Sequence, residues 1–229
     1  MGTDEMVCVA ANELRDGDVV FVGIGLPSLA CNLARATHAP NLQLIYESGT
    51  IGTRPERIPL SIGDPALVAG TLMVAPMIDV FQLVLQRGHI DVGFLGAAQV
   101  DRGGNINTTV IGTYDKPKVR LPGSGGASEI ATHAKRVLVV TKLDKRAFPE
   151  KVDFITSTGE RVSRVITDKC LFDRDANTGE LVLSALYRGV GVDDVRSQVG
   201  WSLRFSPTVS VVEPPSTATL QALRHLQTK

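Results

Sequence analysis

The sequence lacks an excess of charge of either sign. Twenty-four Lys and Arg face 24 Asp and Glu in 229 residues, so a protein that binds nucleic acid mainly by neutralising phosphates is disfavoured. Long hydrophobic runs are also missing. The longest apolar stretch, Ala66 to Ile78, is interrupted by Gly70, Thr71 and Pro76 and stops at Asp79, well short of the roughly 20 residues a membrane span needs. Cysteine is scarce, with Cys8, Cys31 and Cys170 odd in number, far apart and in no CxxC. That pattern argues against a disulfide framework and a zinc site, and the three read as buried small hydrophobes. The four histidines, His38, His89, His133 and His225, share no ligand spacing, so no metal is expected. The first residues, MGTDEMVCVAANELRDGD, are acidic and show no basic start followed by an apolar segment. No signal peptide is expected, and a cytoplasmic location is.

What is present is core material. With 43% apolar and 21% charged residues, the chain can bury a full interior, and one domain, 1–229 with a C-terminal tail 214–229, is the expectation. Asp18-Val-Val-Phe-Val-Gly23 reads as a strand entered from a first helix, and Gly23-Ile-Gly25-Leu-Pro27-Ser28 leads into a helix through Ala36 that Pro40 ends. Leu42 to Tyr46 is a second strand that delivers Glu47 into a Ser48-Gly49 turn. After a punctuated loop, Gly52 to Pro65, the pattern predicts a helix over Val80–Arg87 closed by Gly88, then a strand over Ile90–Leu95. Gly123-Ser-Gly125-Gly126-Ala127 opens a helix through Ala134, and Arg136 to Thr141 is another strand. Strands alternating with helices imply an α/β fold with a mostly parallel sheet flanked by helices, its functional loops at the strand carboxyl ends. Beyond Phe148 the rhythm becomes strand-rich, and Asp175 to Gly179 predicts a C-terminal antiparallel hairpin. Val192 to Val199 reads as a short helix. In the tail, Leu220, Leu223 and Leu226 form one helical stripe that docks on the body or on a partner.

Three features carry chemistry. Gly23-x-Gly25 between strand and helix, with an acid 22 positions beyond Gly25, partly matches a dinucleotide-binding pattern. Ser28 stands where a third glycine belongs, and a plain chain turn fits equally. Glu47, at a strand end before Ser-Gly, presents a carboxylate at the functional edge, or else caps a surface turn. Gly123 to Ser128 has the composition of a backbone nest for an anion or oxyanion, which Lys116, Lys118 and Arg120 can reinforce; a tight turn that only needs glycine is the alternative.

Together these segments resemble the family I coenzyme A transferases, in particular the β (B) subunit of the glutaconate branch. The likeness rests on Gly23-Ile-Gly25-Leu26-Pro27, Tyr46-Glu47-Ser48-Gly49, Ser61-Ile62-Gly63-Asp64, Gly96-Ala97-Ala98-Gln99-Val100-Asp101 with Gly104-Asn105-Ile106-Asn107, Gly123-Ser-Gly125-Gly126-Ala127, and Val165-Ile-Thr-Asp-Lys169. The resemblance implies the CoA-transferase (NagB/RpiA-like) fold and a ping-pong transfer of CoA between carboxylic acids. Glu47 would be the covalent nucleophile and the backbone N–H groups of Gly126 and Ala127 the oxyanion donors. Gly23, Gly25, Gly96, Ala97 and Gly125 would line the substrate and CoA path. It implies acyl-CoA thioesters as substrates, no permanently bound cofactor, no nucleic acid or membrane, and a homologous α subunit in an α2β2 or larger assembly. Gly70-Thr71 stands where the related 3-oxoacid transferases carry Gly-Lys, which favours the glutaconate-like branch. A CoA-ester hydrolase or decarboxylase on the same scaffold and a dinucleotide-binding module remain as alternatives.

Overall fold

The computed structural model describes residues 2–228, which fall into two compact units. The first unit holds Gly2–Leu95, His133–Arg136 and the C-terminal tail from Pro215. Its strands are β1 (Val19–Phe21), β2 (Gln43–Ile45), β3 (Thr50–Ile51), β4 (Met73–Val74) and β5 (Val92–Gly96), in the spatial order β5-β1-β2-β3-β4. The three apolar strands predicted from runs of β-branched residues, β1, β2 and β5, form the parallel part, with Phe21 opposite both Ile45 and Gly93. The outer pairs β2–β3 and β3–β4 are antiparallel.

Helices α1 (Thr3–Asn12) and α2 (Leu26–Thr37) bury Met6, Val7, Ala10 and Ala11 on one side and Ala30, Leu33 and Ala34 on the other. The C-terminal helix Thr217–Gln227 packs on both through Leu223, which is fully buried. The leucine stripe of the tail therefore docks on the chain's own body. Ser216 caps that helix by accepting from Thr219 N–H at 3.1 Å.

One predicted helix takes another form. Instead of a plain helix over Val80–Arg87, the chain makes one α-turn, α3 (Met77–Asp79), followed by a π-helical segment Val80–Leu85. Gln86 N–H donates to the Phe81 carbonyl and His89 N–H to that of Val84, each five residues back. The wider turn sets Val80 and Leu85, five apart, as the buried pair of the segment, and Phe81 packs 5.5 Å from the Phe21 ring.

The second unit holds Gly96–Thr132 and Val137–Pro214. Two short antiparallel ribbons come first, β6 (Gln99–Val100) with β7 (Ile106–Asn107) and β8 (Val110–Gly112) with β9 (Pro117–Arg120). Helix α4 (Ala127–His133) follows, and then β10 (Arg136–Val140), β11 (Val162–Ile166), β12 (Cys170–Arg174), β13 (Leu181–Leu186) and β14 (Phe205–Val211), with α5 (Val192–Arg196) before the last. β10–β11 and β13–β14 are parallel, while β11–β12–β13 is an antiparallel meander. The predicted turn 175–179 joins β12 to β13, with Asp175 accepting from the N–H groups of Asn177 and Thr178. Phe148, Phe172 and Trp201 form the aromatic heart of this unit, with ring centroids 5.7 to 6.4 Å apart.

Candidate functional site

In the first unit β1 and β2 run parallel in register, and Val22 N–H donates to the Ile45 carbonyl at 2.9 Å. The loops after them, Gly23–Gly25 and Tyr46–Gly49, therefore leave from the same strand end. Gly25 adopts φ +86 as it enters α2, a conformation that costs a side-chain-bearing residue roughly 1–2 kcal/mol. The two loops are joined beneath the surface, where the hydroxyls of Ser28 and Tyr46, both fully buried, share a hydrogen bond of 2.8 Å. Burial also pushes the Tyr46 phenol above its ordinary range, so it stays a neutral hydrogen-bonding partner.

Glu47 sits in a tight return. Tyr46 N–H donates to the Thr50 carbonyl and Gly49 N–H to the Tyr46 carbonyl, both at 3.0 Å. Gly49 has φ +108, and a Cβ there would lie 2.0 Å from the Ala75 carbonyl oxygen. The same contact carries a hydrogen bond from Ala75 N–H to the Gly49 carbonyl at 2.9 Å. This turn accepts only glycine, and Ala75, just beyond β4, clamps it from outside. Glu47 itself is half-buried, and its carboxylate has no hydrogen bond or ion pair among the described residues. Beside it, the Ser48 and Thr50 hydroxyl oxygens are buried with no hydrogen-bond partner among the described residues.

A second loop, over residues 54–69, is organised by Asp64 of the Ser61-Ile62-Gly63-Asp64 motif. Its carboxylate takes two hydrogen bonds of 2.7 Å from Arg57 and two of 2.9 Å from the N–H groups of Leu60 and Ala66. The Arg57 guanidinium, then those N–H groups, hold the Asp64 carboxyl well below the usual carboxylate range. This motif residue has an evident structural task.

The remaining predicted residues belong to the second unit. Gly96 ends β5 and is exposed, while the Ala97 carbonyl accepts from the Thr141 hydroxyl at 3.0 Å. Gly123 and Gly125 have φ +95 and +47, so the nest-like turn before α4 does use glycine's freedom. Within it the Ala127 N–H already donates to the Ser124 carbonyl at 2.9 Å, and Ser128 N–H reaches the Ser124 hydroxyl at 3.3 Å. The N–H of the buried Gly126 has no such turn partner among the described residues.

Sequence reasoning missed what holds this turn. Thr108 grips Gly123 from both sides, accepting from its N–H on the carbonyl and donating to its carbonyl from the hydroxyl, each at 2.8 Å. A buried amide network supports Thr108 from below. Asn107 donates to Gln99 at 2.7 Å, and Gln99 is tied to Asp153 by bonds of 3.2 and 3.0 Å. Asp101 fixes the neighbouring turn through the N–H groups of Gly103 and Asn105. The polar residues 99–107 thus form a support rather than a binding surface. The polar side chains clustered within nine residues were the available signal, but two-residue strands have no periodicity to announce them. Lys118 and Arg120 stand exposed on β9, with Lys116 exposed just before it, and the Arg120 guanidinium lies 5.0 Å above the Tyr114 ring.

Comparison with known proteins agrees with this architecture. The coenzyme A transferase family model matches residues 4–198. The chain is 48% identical over 243 residues to the B-type subunit of the 3-oxoadipate CoA-transferase of Pseudomonas knackmussii, covering 99% of this chain and 94% of that protein. It is 33% identical over 234 residues to the B-type subunit of the glutaconate CoA-transferase of Acidaminococcus fermentans, covering 93% and 87%. The crystal structure of the glutaconate enzyme superposes with a TM-score of 0.92 over 98% of this chain and 94% of that chain, at 29% identity. The decarboxylase AibA/AibB superposes at 0.88 over 97% and 92%, at 28% identity. The chain belongs to the coenzyme A transferase family, among its B-type subunits.

Proposed function

We propose that the chain, with an A-type partner, forms an enzyme that moves CoA between carboxylic acids through a thioester on Glu47. The observation that carries this reading is the setting of Glu47. It follows a buried parallel strand, is fixed by a turn that accepts only glycine, and keeps a carboxylate that nothing else among the described residues engages. A carboxylate spent on an ion pair would be a poor nucleophile; this one is free to react.

The carboxylate oxygen attacks the acyl-CoA carbonyl, and the C–S bond breaks to give a mixed anhydride and CoA thiolate. The thiolate attacks the Glu47 carbonyl carbon, the first carboxylate leaves, and glutamyl-CoA remains. An incoming carboxylate attacks the Glu47 carbonyl and displaces the thiolate, leaving a new mixed anhydride. The thiolate then attacks the acyl carbon, and the Glu47 carboxylate is restored. Each attack builds a tetrahedral oxyanion that needs donors aimed at it. Gly126 N–H is the available donor, and Ala127 N–H joins it if its bond to Ser124 opens. Gly23, Gly25, Gly96, Ala97 and Gly125 are the residues assigned to the substrate and CoA path; a side chain at Gly25 or Gly96 would meet nothing within 4 Å. No bound cofactor is required.

The named substrates of the two sequence relatives are dicarboxylates, and the 48% identity favours a 3-oxoadipate-type acyl group over the glutaconate-type one that Gly70-Thr71 suggests from the sequence. The assembly proposed is α2β2 or larger, in the cytoplasm. The test is to incubate the coexpressed pair with 3-oxoadipyl-, glutaconyl-, succinyl- and acetyl-CoA, reduce with borohydride and map peptides by mass. An alcohol at Glu47 is expected, with loss of CoA exchange in Glu47→Gln. Exchange that survives Glu47→Gln refutes the covalent route. The AibA/AibB likeness supports decarboxylation as a second reading, which would show as CO2 release without any label on Glu47.

A further inference from the structure

The longest apolar stretch, Ala66 to Ile78, enters the mechanism above only through Ala75, and most of its second half lies on the surface. Leu72, Met73, Val74, Met77 and Ile78 are all exposed, Leu72 at 76% and Ile78 at 60%, and Leu83 in the π-helical segment follows at 56%. Five large apolar side chains exposed within seven residues are not the scattered surface hydrophobes of an ordinary monomer. The backbone adds a second reason. β4 is the outermost strand of the order β5-β1-β2-β3-β4, pairing inward with β3 through Thr50 opposite Val74 and Ile51 opposite Met73. β4 is short, but it carries no charge and is flanked by exposed apolar side chains, so this edge lacks the charges that commonly keep other chains off.

We infer that Leu72–Ile78, the β4 edge with the α3 turn, is the surface on which the A-type partner docks. The inference deepens the proposed function and rests on it for the partner's identity. Ala66 to Ile78 contains no Lys, Arg, Asp or Glu, so neither an anionic membrane nor nucleic acid finds a counter-charge there. A sheet edge offers backbone donors and acceptors that a folded protein surface satisfies best. Relatives of which this chain covers 94% and 87% are themselves named as one subunit of an enzyme, so the cover is expected from a different chain. The face is also coupled to the nucleophile. Ala75, in the middle of the segment, holds the Gly49 carbonyl at 2.9 Å, so a partner seated here steadies the Glu47 turn and brings its own donors beside it.

The test uses the full chain coexpressed with the A-type transferase chain of its own source, with Leu72→Arg and Ile78→Arg as variants. Phe205→Arg and Val211→Arg, at exposed apolar positions of β14, are controls. Unchanged thermal unfolding of each isolated variant shows that it folds. The docking variants are expected to weaken association with the A-type partner by roughly 30-fold or more, and the controls to leave it intact. A photo-crosslinking residue at position 73 should capture that partner. Association unaffected by both docking variants, or crosslinks only to a second copy of this chain or to phosphatidylserine vesicles, overturns the inference. CoA exchange by the wild-type pair is scored separately. Exchange with an unaffected interface sinks the docking surface alone, whereas a broken interface in a pair that never exchanged CoA sinks the functional reading alone.

Discussion

Gly49→Ala is the substitution whose consequences the structure states most fully. The added Cβ would lie 2.0 Å from the Ala75 carbonyl oxygen, about 1.4 Å inside ordinary contact, so one of the two backbones must retreat. The φ of +108 adds roughly 1–2 kcal/mol for a residue with a side chain. Retreat also stretches the Ala75-to-Gly49 hydrogen bond, worth about 1 kcal/mol. The sum, roughly 2–4 kcal/mol, corresponds to a fall in Tm of about 5–15 °C for a chain of this size. Gly17→Ala isolates the conformational part, because Gly17 has φ +85 but open space where its Cβ would go; it should cost only about 1–2 kcal/mol. The Glu47 turn would shift by about an ångström, enough to lower CoA-transfer kcat roughly 100-fold. Differential scanning calorimetry of both variants and exchange assays on the assembled enzyme decide the matter. If Gly49→Ala matches Gly17→Ala in Tm and retains activity, the clamp by Ala75 does not position the nucleophile.

Three further outcomes follow from the geometry. Tyr46→Phe should cost about 1–3 kcal/mol in urea unfolding because it strands the buried Ser28 hydroxyl. Adding Ser28→Ala should recover part of that loss, and additive losses would argue against their hydrogen bond. Asp64, held deprotonated by Arg57, contributes stability that is complete above its unfolded pKa of about 4 and disappears as pH falls toward its depressed folded value. The difference in urea midpoint between wild type and Asp64→Asn should therefore shrink below about pH 4, and a gap that stays constant as the pH is lowered would contradict this. Burial, helped by Asp4 and Glu5, pushes the Cys8 thiol up to about 11, and burial raises Cys170 to about 12. Native protein should resist iodoacetamide near neutral pH, with all three thiols modified only after unfolding; rapid native labelling by mass spectrometry would refute the burial.

How much of this was legible depended on length and period. β1, β2, β5 and β10 announced themselves as apolar β-branched runs, and Glu47 stood out because it ends such a run before Ser-Gly. The tail stripe predicted a docked helix, and Leu223 is where it docks. β3, β4 and the ribbons β6 to β9 span two to four residues each, too short for alternation to register. The apolar residues of the π-helical turn fit an ordinary helix equally well, and the difference lies in which carbonyl each N–H meets. Gln99, Asp101, Asn105 and Asn107 were visible as a motif, yet their task, bracing one another and the turn that Thr108 grips, depends on partners as distant as Asp153.

Local periodicity and backbone sterics, both written in the residues, dictate the α/β rhythm, the strand end that presents Glu47 and the places where glycine must turn the chain. The clamp of Ala75 on the Glu47 turn, the engagement of the Ala127 N–H and the outward face of Leu72 to Ile78 emerge only from long-range packing. Those facts depend on which backbone lies beside which, and residues 49 and 75, or 108 and 123, meet only when the whole chain has folded.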